Sequence, residues 1–500
     1  MMNILVIDVG TSSMRGILFD REGRILIQKR EKYRPDYKSP VQVEQKAGDF
    51  YHALVQIVNG IVSGAAEAAG KRLVIDALSV TSQRSAVIPL DRLGQPLMPA
   101  VMWQDTRNAA VCRELEKEND LVFQLSGTTV NTVFSGGKMA WIKRECPEAA
   151  SRLSRFVNIP EYLMYRMTGG FASDYTYGSR SNLMNLRERR WDPRLLELFG
   201  IKSEELCPLL EPGSVVGTVN KEFARATGLA EGTPVISAGG DQQCAAVGQG
   251  AISEGILSIV AGTGAYLAVS CDHVPDCLPR ELICNCSALS GRYILEANVL
   301  TCSSAFDWYL RNFYERPADY ERINRELESV YDAEEEAVVL PYFQGRSCGA
   351  WNAGARALFA NITLATTRQD LLKSLVEGIF LEVSNSIRLL QDCVEISQVY
   401  ISGGMTNSRI MNQMQADIYH LPLKRMKNSE ATSIGALLVT LVAQKEYSTA
   451  EEAFQKLCGG NEILTYEPDT KKALLYQNKR IQMNQIYEKI YNESPGRQPG

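Results

Sequence analysis

The first thirty residues hold three apolar runs joined by short polar turns, with no room for a helix between them. ILVID ends at Asp8, GTSS turns the chain, RGILFD returns it, and RILIQ follows the turn DREG. Short apolar runs bounded by Gly, Ser and Asp read as strand, turn, strand, turn, strand. This pattern excludes the dinucleotide-binding and P-loop units, because each needs a helix directly after its glycine turn. The same arrangement returns at Gly255 to Ser270, GILSIVAGTGAYLAVS, where an apolar strand runs into Gly262-Thr263-Gly264 and then into another strand. A duplicated domain would leave this recurrence, each copy offering one turn to a shared cleft.

A chain of 500 residues exceeds one ordinary core and has room for such a cleft. Between and after the two copies, strand-like and helix-like blocks alternate. IDALSVTSQR and QVYISGG read as strands. RQDLLKSLVEGIFLEVSNSIRLLQDC carries Leu372, Leu375, Val376, Ile379, Phe380, Val383 and Ile387 at helical spacing, and SEATSIGALLVTLVA reads as a helix that opens on small residues. Both halves are therefore α/β, with a boundary expected between Gly248 and Glu254, and the Pro/Gly-rich tail SPGRQPG is expected to be frayed.

The net charge of -5 argues against a nucleic-acid surface. No basic leader precedes the first apolar run, and no stretch approaches the ~20 apolar residues of a membrane span, so a cytoplasmic protein is expected. Of twelve cysteines only Cys271, Cys277, Cys284 and Cys286 cluster, near His273. Their spacing lacks the paired form of common zinc folds and favours reduced structural thiols. Histidine occurs three times, too sparsely to build a His-based catalytic machine.

The chemistry must then come from carboxylates and turns. In GGDQQCAAVG, Asp241 follows an apolar run and paired glycines, at a strand-to-helix junction where it is either a helix N-cap or a catalytic base. Asp8 ends a strand where an unpaired charge is costly, and a cation would resolve the conflict. Thr11, Ser12 and Ser13 add hydroxyls and backbone N–H groups suited to phosphate oxygens, with Mg²⁺ needed to reconcile phosphate with Asp8 and with Arg15 able to neutralise more charge. The plain alternative is an ordinary hairpin turn. Gly262, Thr263 and Gly264 could cradle phosphate or form a simple β-turn. Gly403 and Gly404 would let a ring or sugar approach the backbone, with Asn407 able to donate or accept beside them. Gln83, Arg84, Trp103, Gln104, Asp105 and Arg107, from TSQRSAV and MWQDTR, suit a polyhydroxylated ligand that needs directed hydrogen bonds and one stacking wall. The alternative is that Trp103 is core and that Asp105 and Arg107 form a structural pair.

These motifs in this order resemble the FGGY carbohydrate kinases, members of the actin/hexokinase-type ATPase superfamily. The resemblance spans Ile4 to about Ala443 and rests on DVGTSS, TSQR, MWQDTR, GGKMAWIKRE, SDYTYGSRSNLMN, GGDQQCAAVG, AGTGAY, ISGGMTNS and EATSIGAL. It implies an α/β fold of two actin-like, ribonuclease H-like domains flanking a central cleft. Residues 1–250 would form the sugar and phosphate side, 251–445 the nucleotide side, and 446–500 a helical extension and tail. It implies an ATP- and Mg²⁺-dependent kinase acting on a small-molecule sugar or polyol, and it leaves a homodimer open. Under it, Asp241 becomes the general base toward the acceptor hydroxyl and a second candidate near the metal, and Asp8 helps to hold Mg²⁺ through water. Thr11 to Ser13 and Gly262 to Gly264 would face the phosphates, while Gly404 and Asn407 would lie near the adenosine. Gln83, Arg84, Trp103, Gln242 and Tyr266 would line the acceptor pocket.

Departures from the family's patterns bear on the acceptor. Ser85 stands where glycerol kinases resemble one another in carrying a glycerol-binding Glu, and Val133 stands where they carry a pocket Tyr. A site that loses two hydrogen-bonding groups discriminates against its former ligand. Xylulokinases typically carry Gln-Met-His-Gly where this chain has Gln83-Arg84-Ser85-Ala86, so that pocket is not reproduced either. Asn361 replaces a glycine usual in the C-terminal signature. A ketopentose such as xylulose is the first expectation, ahead of glycerol. The competing readings are a non-metabolic ATPase switch and a sugar-binding regulator that has lost catalysis.

Overall fold

A computed structural model describes residues 2–68, 74–315, 317–333, 336–347, 351–426, 430–459 and 463–491, and the SPGRQPG tail lies outside the described residues. Two mixed sheets organise the chain. The first contains β1 (Asn3–Val9), β2 (Ser13–Asp20), β3 (Ile25–Lys32), β4 (Ala77–Ser82), β5 (Val215–Thr218) and β6 (Pro234–Gly240), in the spatial order β5-β6-β4-β1-β2-β3. The second contains β7 (Ile256–Ala261), β8 (Ala265–Cys271), β9 (Ile283–Cys286), β10 (Tyr293–Val299), β11 (Gln398–Gly403), β12 (Leu423–Met426) and β13 (Ile463–Tyr466), in the order β9-β10-β8-β7-β11-β12-β13.

The expected duplication is visible in the pairing. β1, β2 and β3 form an antiparallel meander, and β4 and β6 extend it from β1 in parallel. β7, β8 and β10 repeat the meander, and β11 and β12 repeat the parallel extension. The segment after residue 445, expected as a helical extension, also supplies β13, which pairs antiparallel with β12 and completes the second sheet.

In the first sheet β1, β2, β4 and β6 are covered on both faces, which explains their nearly unbroken apolar runs, whereas the outer strands β3 and β5 are exposed or half-buried. Because side chains alternate along a strand, Leu5, Ile7 and Val9 enter one core with Phe50, Leu54 and Ile57 of α1 (Ala47–Ala68). Ile4 and Val6 face the opposite way, into a core shared with Leu437, Leu438 and Leu441. The same alternation puts Asp8 on this second face.

Two further helices organise the centre. α2 (Asp241–Gly248) follows β6 directly, and α3 (Ala431–Ala443) packs against it and against β1, β4 and β6. The contact is backbone to backbone: a Cβ on Gly435 would lie 1.8 Å from the carbonyl oxygen of Cys244, and one on Gly248 would lie 2.0 Å from that of Ala431. A helix from the second half of the sequence thus covers the first sheet. Among the described residues no helix is long and apolar enough to cross a membrane.

Candidate active site

β1, β4 and β6 run parallel, so their C-terminal ends finish side by side. Asp8 pairs with Thr81, and Thr81 and Ser82 pair in turn with Gly239 and Gly240. Ligands of open α/β sheets collect beyond such ends. The topology therefore gathers Asp8, the Gln83-Arg84 segment and Asp241 at one edge.

Asp241 is the first residue of α2, and Gly240 is its N-cap. The N-cap alternative is thereby corrected: a capping carboxylate precedes the first helical residue and accepts N–H bonds two or three residues on, whereas Asp241 accepts from the adjacent N–H of Gln242 at 2.8 Å. Its side chain keeps 25% exposure toward the cleft. The turn that delivers it is clamped from behind. The Gly239 carbonyl accepts from Thr81 Oγ1 and from the Tyr177 hydroxyl, each at 2.8 Å, and the Gly240 N–H donates to Thr176 Oγ1 at 2.8 Å. Gly239 has φ +108°, a conformation that L side chains rarely adopt. Thr176 is itself fixed by Asp174, which accepts from the Thr176 N–H at 2.8 Å and from its hydroxyl. Burial raises the Asp241 carboxyl to about 6, opposed by Arg84 and reinforced by the negative charge of Asp8.

Arg84 is the centre of a charge cluster. Its Nη1 donates to Glu296 Oε1 at 3.1 Å and to Gln243 Oε1 at 3.2 Å, and its Nε lies 3.7 Å from Asp241 Oδ1. The other oxygen of Glu296 accepts from Arg180 Nη1 at 3.2 Å, and the Arg180 guanidinium sits 4.7 Å from the Phe134 ring centroid. Glu296 has a side chain 1% exposed. Burial works to neutralise it, yet the two guanidiniums hold its carboxyl below the ordinary range. Arg180, with one carboxylate to share, is lowered to about 10 by burial and by Arg84. Tyr266, from β8, stands beside Glu296 and both arginines. Burial and the negative charge of Glu296 raise its hydroxyl well above the usual tyrosine value.

The first turn is rigid. Gly10 N–H donates to Ser13 O at 3.0 Å, the Tyr33 hydroxyl donates to Gly10 O at 2.7 Å, and Gln83 Nε2 donates to the same carbonyl at 3.1 Å. Trp103 Nε1 donates to Thr11 Oγ1 at 3.0 Å, tying the MWQDTR segment to the turn, and its side chain stays exposed. Ser12 is exposed as well. The cation that answers Asp8 is Arg15, whose Nη2 donates to Asp8 Oδ2 at 2.6 Å while Nη1 donates to Glu430 Oε2 at 2.7 Å. Arg15 is therefore engaged between two carboxylates. Burial still leaves the Asp8 carboxyl raised.

The second turn lies at the matching edge of the other sheet. Gly262 N–H donates to Gly264 O at 2.9 Å, and the turn rests on the following helix through the Ser303 N–H to Gly262 O bond at 3.0 Å. β7 and β11 are parallel with Ala261 opposite Gly403, so the Gly262 and Gly404 turns emerge together. Gly262, Thr263, Gly403 and Gly404 are exposed there, and Asn407 Oδ1 accepts from Arg425 Nη2 at 2.6 Å. Asp105 and Arg107 form the structural pair of the plain alternative: Asp105 is fully buried, bonded to Arg107 at 2.7 Å and to the Val43 N–H at 2.7 Å, and Arg107 also binds Glu44. Gln104 and Gln242 are half-buried. Ser85 is a buried residue at φ +69° whose hydroxyl faces the Arg180 carbonyl at 3.4 Å, and Val133 is half-buried. Asn361 has φ +59°, which gives a physical reason for a glycine at that position and for its replacement by Asn, the side chain that tolerates this conformation best.

Sequence reasoning missed Arg180, Glu296 and Thr176. Glu296 carried a usable signal, since a single acid inside the strand YILEANV is as anomalous as Asp8 inside ILVID.

Comparisons with known proteins bear on the same residues. The family model for the FGGY carbohydrate kinases, N-terminal domain, matches residues 3–248, and that for the C-terminal domain matches 257–444. A glycerol kinase of Thermococcus gammatolerans is 29% identical over 459 residues, covering 90% of each chain. The structure is similar to a xylulose kinase from Rhodospirillum rubrum, with a TM-score of 0.91 and 20% identity over 98% of this chain and 99% of that one. It is also similar to Plasmodium falciparum glycerol kinase with ADP, with a TM-score of 0.89 and 24% identity over 98% of both. With both family models matched in order, and with parallel strands of the first sheet ending together at Asp8 and Asp241, the chain belongs to the FGGY family of carbohydrate kinases.

Proposed function

We propose that the protein is an ATP-dependent kinase that transfers the γ-phosphoryl group to a hydroxyl of a small sugar, first a ketopentose such as xylulose, with glycerol, another polyol or a sugar acid as the alternative. The observation that carries the reading is Asp241, which keeps one edge open to the cleft at the start of α2 while its turn is clamped and its carboxyl is raised to about 6. An alcohol is a poor nucleophile near neutral pH, and a fixed carboxylate with a pKa just below neutral accepts its proton as the phosphoryl group moves. Arg84, held by Glu296, orients that carboxylate and offers donors to the acceptor, with Gln242, Tyr266, Gln83 and Trp103 around it. The Thr11–Ser13 and Gly262–Gly264 turns face the phosphates, and Gly403, Gly404 and Asn407 face the adenosine. Residues 1–250 and 251–445 serve as the acceptor and nucleotide sides.

Asp8 and Asp241 suit a hydrated Mg²⁺: both carboxyls titrate high and Asp8 raises Asp241, the situation a shared divalent cation relieves. When bound with ATP, the ion would neutralise phosphate charge. The acceptor assignment rests on Ser85 and Val133, which provide neither a carboxylate nor a phenol to fix a three-carbon polyol. The names of the curated relatives favour glycerol instead.

The test is ADP release with Mg-ATP across ketopentoses, polyols and aldonates. A ketopentose should give the highest kcat/KM, and Asp241→Asn should lower kcat by about 10²–10⁴-fold with ATP binding retained. Turnover of glycerol above every ketopentose would overturn the acceptor assignment, and full activity in Asp241→Asn would overturn the role of the base.

A further inference from the structure

Beyond the acceptor pocket, the first phosphate-facing turn opens on a cavity of about 600 Å³ lined by Thr11, Ser12, Arg30, Lys32, Tyr33, Arg34, Pro35 and Tyr37. Its cations follow from strand geometry. Arg30 and Lys32 alternate along β3 and so share one face, and Arg34, two residues past the strand's end, lines the same cavity. The register places Arg30 beside Arg15 and Lys32 beside Ser13, on the face that Asp8 shares. The positive row thus runs along the edge strand and past the phosphate turn.

Among the described residues, none of the three is in an ion pair, whereas the neighbouring Arg15 is held by Asp8 and Glu430. Arg30 donates to Ser13 Oγ from Nε at 3.1 Å and from Nη2 at 3.0 Å, which anchors its guanidinium at the mouth of the turn. Lys32, Arg34 and Tyr37 are exposed. Three like charges within one short segment repel one another, and although the charge of Arg30 also acts on Glu430, no ion pair among the described residues holds Lys32 or Arg34. An anion of high charge density removes the repulsion, arginine forks match phosphate oxygens, and tyrosine rings give a sugar a wall.

We infer that this cavity is a second anion site, one that takes the phosphate group of a small phosphorylated molecule, distinct from the nucleotide. The inference stands on charge and shape, independently of the acceptor assignment. The phosphate has two sources: the far end of a phosphorylated acceptor whose free hydroxyl reaches Asp241, or a separate phosphorylated effector beside the turn.

The experiment is titration calorimetry of the full chain saturated with Mg²⁺ and a non-hydrolysable ATP analogue, using inorganic phosphate and ribulose 5-phosphate as probes. Both should bind with about one equivalent. Affinity should fall at least tenfold in Lys32→Gln/Arg34→Gln, which leaves the Arg30 contact to Ser13 intact, and should weaken as salt is added. Unchanged affinity in the double variant, or binding seen only without the ATP analogue, would overturn the inference, the latter by assigning the cations to the nucleotide site. Thermal unfolding of the variant at the parent temperature confirms that the loss is local. ADP release with ribulose 5-phosphate as acceptor marks the first source. A change in the rate with an unphosphorylated acceptor, without turnover of the phosphate ester, marks the second. Because calorimetry needs no turnover, failure of the kinase reading and failure of this site are separable.

Discussion

At the residue scale, the proposed chemistry turns on how one carboxylate is poised. Burial raises Asp241 and the negative charge of Asp8 adds to it, while Arg84 pulls it back, and the balance is about 6. In the proposed role of general base Asp241 works only deprotonated, so kcat/KM should hold a plateau above that pH and fall below it, approaching a tenfold loss per unit as the carboxylate takes a proton. Removing the opposing charge moves the limb in a defined direction. Arg84→Met deletes the lowering influence, so the limb should shift to higher pH; a shift to lower pH, or none, in a pH-rate profile would show that Arg84 does not set the charge of Asp241. Asp241 itself was legible because paired glycines and an acid interrupt an apolar pattern. Its partners were less so. Arg180 lies in SDYTYGSRSN, where nothing in the local pattern says that its side chain will be buried against Phe134 and a carboxylate more than a hundred positions away. Only the folded chain joins them.

At the element scale, the two hairpins told most of the fold. GTSS and AGTG each sit between strands of alternating, doubly buried residues, and the parallel strands that follow each meander give the sheets the same core topology. The brace behind the Asp241 turn was hidden, because it comes from the short helical segment Tyr175–Gly178 and acts through Thr176 and Tyr177 on Gly240 and Gly239. Thr176→Val tests it with almost no change in shape. The buried Gly240 N–H would lose its acceptor, at a cost of about 1–3 kcal/mol, and Asp174 would lose a donor. Urea unfolding should show that loss, and kcat should fall more than KM for the acceptor rises, since the substitution relaxes the base rather than the pocket. A stability loss with kinetics unchanged would make the brace structural only.

At the scale of the whole molecule, the two halves of the chain are joined at the site itself. α3 lies against the first sheet through the Gly435 and Gly248 contacts, and Glu296 of the second sheet is bonded to Arg84 and Arg180 of the first half. This cluster bonds one half of the chain to the other, so any closing of the halves over substrate must keep these bonds or break them. Its energetics are asymmetric. Two buried guanidiniums share one carboxylate, so among the described residues deleting Glu296 leaves Arg180 without an ion pair and Arg84 with its 3.7 Å approach to Asp241 alone, and breaking such a buried arrangement costs about 3–5 kcal/mol. Glu296→Ala should therefore lower the unfolding free energy by that amount. Glu296→Ala/Arg180→Met should recover part of it, because one of the stranded charges goes as well and an apolar stem replaces it beside Phe134. The order is the decisive feature: if the double variant is no more stable than the single one, Arg180 is solvated once Glu296 is gone, and the cluster is a local pocket feature that does not bind the halves together. If it is more stable, the same residues that orient Asp241 also fix how the two sheets face each other, and the geometry of the base and the geometry of the cleft are one constraint.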